Sequence, residues 1–226
     1  MYLEDIIGPV MVGPSSSHTA GAARIGKVAY MLLGEKVKHA DILLHGSFFT
    51  TGKGHGTDKA LVAGLIGMSV DDVRIPRSFD IAAEQGMTYR FGEVDLGGDA
   101  HPNSVMLALT GVSGKRLEVV AASIGGGRIR VTGLDGMQVN FAGDMPTIVI
   151  EHNDHPGVMA QVTSLLLKEN INIATTSLYR SGRGAHAQMV LECDQEVPEV
   201  AINFLRHQED ILRVIYFSQQ TGQTDD

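Results

Sequence analysis

The 226-residue sequence predicts an α+β protein built from two different domains, and three observations carry this prediction. First, 23 of the 27 glycines lie in residues 1–146, although an average chain of this length carries roughly 16 in all. Second, helical periods in residues 19–85 give way to short, glycine-broken β runs up to residue 141. Third, from residue 147 the apolar pattern follows the order β-α-β-β-α-β, which is the ferredoxin-like plan.

Composition excludes several classes of protein. The chain is 43% hydrophobic, so it can form real cores and is not disordered as a whole. Its apolar runs are far shorter than the ~18 residues of a membrane helix, and residues 1–10 lack the basic start of a secretory signal. A net charge of −8 argues against a nucleic-acid surface. The single cysteine excludes an internal disulfide framework and suits a reducing cytoplasm.

In the first domain, apolar residues spaced three and four apart predict a helix that ends at Gly34, a residue favoured just after a helix. A second helix is expected to start at Thr57 or Asp58, either of which can cap it. The glycine clusters between the later β runs indicate hairpin turns or bulges. The predicted helices span 19–33, 57–68 and 78–85, and the predicted strands span 40–48, 104–109, 117–124, 128–131 and 137–141.

In the second domain, alternating strands and amphipathic helices follow a candidate linker at residues 142–146. Pro198 is expected at the first position of the last helix, where its missing N–H costs nothing. The domain limits are therefore predicted as 1–142 and 147–218, followed by a polar tail at 219–226. The predicted strands are 147–150, 171–179, 186–192 and 211–217, and the predicted helices are 156–169 and 198–206.

Residues 13–19 (GPSSSHT) place four hydroxyls and one imidazole directly before the first predicted helix. The free N–H groups and the partial positive charge of a helix N-terminus favour a carboxylate or a phosphate there. The alternative is a simple N-cap, which would need only one serine. The candidate ligand-binding residues are Ser15, Ser16, Ser17, His18 and Thr19.

Residues 52–58 (GKGHGTD) place His55 between two glycines, which lets a ligand approach the backbone and leaves the imidazole uncovered. Lys53 adds positive charge, and Asp58 either orients a histidine or caps the helix. The segment is not a P-loop, because no glycine–lysine pair in it is followed by a serine or threonine. The alternative is a flexible surface loop.

Residues 101–103 (HPN) form a third polar segment. Here His101 and Asn103 stand two residues apart on an extended segment, so their side chains are predicted to point the same way. The alternative is the solvated start of a strand.

Residues 153–157 (NDHPG) again place polar groups before a helix, and the alternative to a binding site is a plain cap. His152 and His155 are spaced three apart but do not indicate zinc, since no cysteine or third histidine accompanies them. Cys193 has no basic neighbour in the sequence, so we expect a buried, unreactive thiol.

The first three motifs together resemble the β chain of the bacterial iron–sulfur L-serine dehydratase. The first domain is also similar to the allosteric-substrate-binding domain of some phosphoglycerate dehydrogenases. Residues 147–217, with the 153–157 motif at the first strand–helix junction, resemble an ACT domain, which is a small amino-acid-sensing module. The resemblance therefore implies a serine-dehydratase β-type domain followed by an ACT domain.

The resemblance also implies an activity: a lyase that converts L-serine to pyruvate and ammonia. In that family a [4Fe–4S] cluster has one iron without a cysteine ligand, and this iron acts as a Lewis acid on the substrate. Three cysteines hold such a cluster, whereas this chain has only Cys193. The cluster is therefore expected on a partner α subunit, with no metal ligand in this chain.

The resemblance assigns roles to the motifs. Removal of the weakly acidic Cα proton needs a positioned base, for which His55 is the first choice and His18 the second. Ser15, Ser16, Ser17 and Thr19 would bind the substrate carboxylate, and Lys53, Thr57, Asp58, His101 and Asn103 would complete the polar wall of the site. The alternative function is a purely regulatory amino-acid-sensing subunit, which would need no mobile proton acceptor.

For the ACT-like domain the resemblance implies regulation. Serine or a monovalent cation is expected to bind at Asn153, Asp154 and Gly157. ACT domains commonly pair edge to edge, which also covers exposed strands, so a homodimer through this domain is expected.

Overall fold

The computed structural model describes residues 11–13, 15–180, 182 and 184–218. The chain divides into two compact units, Met1–Gly136 and Met137–Asp226, and each contains helices and strands. The α+β prediction is therefore confirmed. The division falls before residue 142, and the predicted domain limits stay a prediction. Within the described residues, no helix is both long enough and apolar enough to cross a membrane.

Five strands of the first unit lie in one sheet, in the order β2-β1-β3-β4-β5. The pair β1–β2 is parallel, and the other neighbouring pairs are antiparallel. Its strands are β1 (Val37–Leu44), β2 (Thr88–Glu93), β3 (Ser104–Gly111), β4 (Arg116–Gly125) and β5 (Arg128–Leu134), and its helices are α1 (Ala22–Leu33), α2 (Ser47–Thr50), α3 (Thr57–Leu65) and α4 (Ser78–Glu84).

Two parts of the first unit differ from the sequence prediction. The strand predicted over 40–48 ends at Leu44, and α2 follows it, because Gly46 turns the chain at a φ of 56° and Ser47 donates its N–H to Pro102 O at 2.7 Å. The strand β2 was not predicted at all. It lies at the sheet edge and buries none of its side chains fully, but Met87, Tyr89 and Phe91 alternate with polar residues, which was a signal for this strand.

Helices α1 and α3 approach each other closely at Gly26 and Gly64. A Cβ atom on Gly64 would lie 2.5 Å from the backbone N of Lys27 and 2.7 Å from the Cα of Gly26, so neither position has room for a side chain. The two long polar motifs lie directly before these helices. The glycine contact therefore holds together the two elements into which the motifs lead.

The second unit has the predicted ferredoxin-like order, with four strands arranged β10-β7-β9-β8 in an antiparallel sheet. Its two helices start later than predicted. Pro198 is the N-cap residue, directly before α6, and not the first residue of the helix. The elements are β6 (Met137–Phe141), β7 (Thr147–Asn153), α5 (Val158–Lys168), β8 (Ile173–Arg180), β9 (His186–Cys193), α6 (Glu199–Arg206) and β10 (Ile211–Phe217). The fully buried core residues include Ile148, Ile150, Val162, Leu166, Met189, Leu191 and Ile202.

Candidate active site

The serine-rich motif forms a wide π-helical turn at Ser16–Gly21 that continues directly into α1. The carbonyl of Ser15 accepts from the N–H of Thr19 at 2.9 Å and from that of Ala20 at 3.3 Å. The Ser15 hydroxyl accepts from the N–H of His18 at 3.1 Å, so Ser15 caps the turn. Short π-helical segments occur frequently at functional sites. The helical region thus starts earlier than the predicted residue 19.

Ser16 and Ser17 remain available for a ligand. Both are half-buried, and neither hydroxyl forms a hydrogen bond to another described residue. Capping needs only Ser15, so these two hydroxyls have no structural function in the turn. They are free to donate to a carboxylate.

His18 contacts two hydroxyls that the sequence analysis missed. Its Nε2 lies 3.2 Å from Ser47 Oγ and 3.2 Å from Thr51 Oγ1, and these two oxygens are 3.0 Å apart. The ring also meets the ring of Phe48 edge-on, with centroids 5.5 Å apart. Ser47 and Thr51 stand one helical turn apart at either end of α2, so a serine and a threonine at i, i+4 were the only signal in the sequence.

The two predicted histidines lie side by side. The ring centroids of His18 and His55 are 5.0 Å apart, and the Thr19 hydroxyl donates to the carbonyl of His55 at 3.0 Å. Burial lowers the pKa of His18 below its usual 6.5, and the charge of His55 lowers it further, partly opposed by a hydrogen bond to Ser47. At neutral pH the His18 imidazole is therefore an uncharged group that can accept a proton.

The glycine-rich loop is a 3₁₀ turn, Gly52–His55, followed by Gly56 at a φ of 72° and then by α3. Thr57 is fully buried beneath this loop, and its hydroxyl finds no hydrogen-bond partner in the described part of the chain. A Cβ atom on Gly52 would lie 3.0 Å from Thr57 Cβ, so glycine lets the loop lie flat on this residue. His55 itself is exposed.

Lys53 and Asp58 line a neighbouring cavity of about 260 Å³, and neither His18 nor His55 is among its lining residues. Its apolar lining residues include Leu44, Phe49 and Phe91. Lys53 and Asp58 are therefore close to His55 in the chain, but they line a cavity that His55 does not line. Their predicted role in binding substrate stays a prediction.

The segment at 101–103 contains a turn directly before β3, so the extended conformation predicted for it was wrong, whereas the strand does start at the predicted Ser104. The N–H of Asn103 donates to His101 Nδ1 at 3.1 Å, and the Ser104 hydroxyl donates to His101 O at 2.6 Å. Pro102 O accepts from Ser47 N–H, which connects this turn to the hydroxyl that contacts His18. The Asn103 side-chain oxygen is buried without a partner among the described residues.

Ser123 on β4 is a further residue that the sequence analysis missed. It is fully buried, its hydroxyl has no partner within the described residues, and its N–H donates to Asn103 O at 2.9 Å. A Cβ atom on Gly21 would lie 2.7 Å from Ser123 Cβ. The serine therefore packs directly on the end of the π-helical turn. No local pattern predicts this contact.

The polar turn at 153–157 is held by bonds within the second unit. Asp154 Oδ2 accepts from Gly184 N–H at 3.1 Å and from Arg180 at 3.3 Å. The Gly184 hydrogen bond, aided by Arg180, holds the pKa of Asp154 below its usual 3.8. Gly157 precedes α5 at a φ of 99°, and no side chain caps this helix.

Cys193 is fully buried in the core of the second unit. Burial raises the pKa of its thiol to about 11, with a smaller contribution from Asp194. The thiol is therefore neither a nucleophile nor a ready ligand. Among the described residues, no three His, Cys, Asp or Glu side chains are grouped so that they could hold a metal ion.

Comparison with known families matches both units. Residues 5–133 match the family model described as "Serine dehydratase beta chain", which covers more than half of the chain. Residues 148–213 match the model described as "AHAS small subunit-like ACT domain".

Comparison with individual proteins agrees. The chain is 38% identical over 195 residues to the L-serine dehydratase beta chain of Peptoniphilus asaccharolyticus, covering 86% of this chain and 88% of that one. It is 40% identical over 210 residues to a probable L-serine dehydratase beta chain of Bacillus subtilis, covering 93% and 94%. It is also 28% identical over 183 residues to a D-3-phosphoglycerate dehydrogenase of Archaeoglobus fulgidus, covering 79% of this chain but 34% of that enzyme.

Proposed function

We propose how this chain, which belongs to the serine dehydratase β-chain family, takes part in the family's reaction. The chain is a subunit of an L-serine dehydratase, the enzyme that converts L-serine to pyruvate and ammonia. Within this enzyme, we propose that the chain supplies the proton acceptor and the groups that bind the substrate carboxylate. The observation that carries this assignment is the His18–His55 pair beside the unpartnered hydroxyls of Ser16 and Ser17.

The partner is proposed to be a cluster-bearing α subunit. When bound there, a [4Fe–4S] cluster supplies a Lewis acid for the substrate hydroxyl and carboxylate. This chain is not proposed to hold the cluster, because its single cysteine is buried with a raised pKa.

The serine-rich turn is proposed to bind the substrate carboxylate. Ser16 and Ser17 can donate hydroxyl hydrogen bonds to it, and the turn continues into α1, whose N-terminus carries a partial positive charge. Ser15 and Thr19 position this site: one caps the turn, and the other connects it to the His55 loop through His55 O. The carboxylate would thereby place the substrate Cα next to the histidine pair.

His55 is proposed to take the Cα proton, and His18 is the second candidate. His55 is exposed and carries no side-chain hydrogen bond to another described residue, so its ring is free to reach the substrate. His18 is held by Ser47 and Thr51, and its lowered pKa keeps it uncharged beside His55. An uncharged neighbour lets His55 accept a proton without meeting a second positive charge.

The second unit is proposed to bind an effector at Asn153–Gly157. Asp154 is already paired with Arg180 and Gly184, so the groups left at this turn are the uncapped N–H groups of α5. Such groups favour the carboxylate of serine over a monovalent cation. Pairing of two copies through this unit stays a prediction.

The test is a His55→Ala substitution in the assembled α–β enzyme. We expect turnover to fall by roughly 10²–10⁴-fold, the usual contribution of a general base. The cluster absorption spectrum and the α–β complex should be unchanged. His207→Ala is the matched control, because His207 is exposed on the second unit and its side chain bonds, among the described residues, only to Asn203 O.

Near-normal turnover of His55→Ala would contradict the assignment of the base. Loss of turnover in His18→Ala, with His55→Ala active, would move that role to His18. Activity in both variants would favour the purely regulatory function instead.

A further inference from the structure

An exposed aromatic surface lies beside the His55 loop. Phe49 and Phe91 are 44% and 38% exposed, and both line the cavity that contains Lys53. The ring of Phe91 lies 5.7 Å from that of Tyr89 and 6.4 Å from that of Phe79, measured between centroids. We call these four residues, Phe49, Phe79, Tyr89 and Phe91, the aromatic patch.

The fold of the first unit does not account for this exposure. Full burial of a phenylalanine side chain stabilises a protein by about 1.5–3 kcal/mol, so two rings left partly in water forgo part of that. Single exposed apolar residues are ordinary, but contiguous ones mark binding surfaces. Aromatic residues in particular are enriched where proteins dock.

We propose that the aromatic patch is part of the docking surface for the α subunit, an inference that rests on the proposed function. A standard interface covers about 800 Å² on each partner, which corresponds to a disc of about 16 Å radius. Phe48 packs against His18 with ring centroids 5.5 Å apart, and Phe49 is the next residue, with its Cα about 3.8 Å further on. A partner that covers the histidine pair therefore also covers Phe49.

The cavity defines what the α subunit must present. Its apolar walls, formed by Leu44, Phe49 and Phe91, fit an aliphatic or aromatic side chain. Lys53 and Asp58 stand on the same cavity and form no ion pair within the described residues, so they favour opposite charges on the partner. An apolar anchor in a pocket with charges around it is the usual arrangement of an interaction hot spot.

The first test is thiol labelling of a Phe49→Cys variant. The native Cys193 is buried, so a maleimide attached to this chain, resolved from the α subunit by mass spectrometry, reports the introduced thiol alone. We expect saturating α subunit to slow labelling at least about tenfold, because thiol reactivity follows exposure. The control is Val112→Cys, because Val112 is 60% exposed and follows the far end of β3. That end, Gly111, lies about 23 Å from Ser104 at about 3.3 Å per residue.

The second test measures affinity. We expect the double substitution Phe49→Ser/Phe91→Ser to raise the Kd for the α subunit at least about tenfold, as truncation of central aromatic residues does at other interfaces. Val112→Ser should bind like the wild type. A thermal unfolding curve of each isolated variant checks that the fold is intact.

Equal labelling of Phe49→Cys in the free and bound states, together with an unchanged Kd, would overturn the inference. His55→Ala separates this result from a failure of the proposed function. That variant should bind the α subunit normally whether or not it turns over serine. A wild-type chain that forms no complex with the α subunit would overturn both proposals.

Discussion

Two polar turns in this chain lead into helices, and they use their polar groups in opposite ways. In the turn at Ser16–Gly21, the hydroxyls of Ser16 and Ser17 form no hydrogen bond to any described residue. In the turn at 153–157, the Asp154 carboxylate is bound by Gly184 and Arg180, and His155 Nδ1 lies 2.7 Å from Asp210 Oδ1. A similar composition therefore leaves two hydroxyls without a partner among the described residues in one case, and binds a carboxylate and an imidazole into the fold in the other.

This difference has a consequence for mutagenesis. Substitutions of the free groups in the first turn should change activity without changing stability. Substitutions of the bonded groups in the second turn should change stability and leave basal turnover intact.

The largest expected effect is on catalysis. Replacing both free hydroxyls, Ser16→Ala/Ser17→Ala, should lower kcat/KM by roughly tenfold to a hundredfold per serine, since a hydrogen bond to a charged group contributes about 1.5–3 kcal/mol. The free energy of unfolding should stay within about 0.5 kcal/mol of the wild type, as for other substitutions that break no contact. Steady-state kinetics and urea unfolding measure the two quantities.

The control for this experiment is Ser164→Ala, because Ser164 is exposed on α5 in the second unit. It should change neither quantity. Wild-type kinetics in the double variant would mean that the two hydroxyls of the first turn take no part in binding the substrate.

The next effect tests how the first turn is held. Gly21 has an ordinary helical backbone, with a φ of −61°, so only steric overlap with Ser123 opposes a side chain there. Gly21→Ala should reduce the free energy of unfolding by about 1–3 kcal/mol, as overpacking does. Combining it with Ser123→Gly should restore part of this loss, and a double-mutant cycle from urea unfolding measures that coupling.

Gly157→Ala is the comparison in the second turn. Nothing lies within 4 Å of a Cβ atom there, but the φ of 99° strains any other residue. We expect a loss of about 1–2 kcal/mol that Ser123→Gly does not restore. If Ser123→Gly restored as much of the free energy of unfolding in Gly157→Ala as in Gly21→Ala, the contact at Gly21 would not be specific.

The smallest effect concerns Asp154 and depends on pH. Its pKa is lowered in the folded state, first by Gly184 N–H and also by Arg180, so its charge stabilises the fold above the usual pKa of 3.8. This stabilisation is lost as the pH falls through the lowered pKa. Asp154→Asn should therefore melt below the wild type at pH 7, and the difference in Tm should vanish in acid.

The control here is Asp99→Asn, because Asp99 is exposed in a loop of the first unit. It should produce no difference in Tm at either pH. A difference for Asp154→Asn that persists unchanged in acid would rule out the ionised carboxylate as its cause.

The two units also differ in how far sequence patterns predict them. In the second unit each buried strand and helix carries its own apolar period, and the observed bounds of β10, Ile211–Phe217, are those predicted. In the first unit β2 escaped prediction although Tyr89 and Phe91 alternate with polar residues, because the strand is short and no apolar run marks a fully buried side chain in it. The α2 turn escaped because Pro102, about fifty residues along the chain, supplies the carbonyl that holds it.

By itself, the sequence determined the α+β class, the order of elements in the second unit and the residues of the two long motifs. Those features are local, since apolar periods, glycine spacing and capping residues act over a few positions. Only the tertiary structure decided that His18 lies against His55, that Ser47 and Thr51 contact its ring, and that Ser123 packs on Gly21. These contacts join residues 29 to 102 positions apart in the chain, and a local pattern carries no information about such pairs.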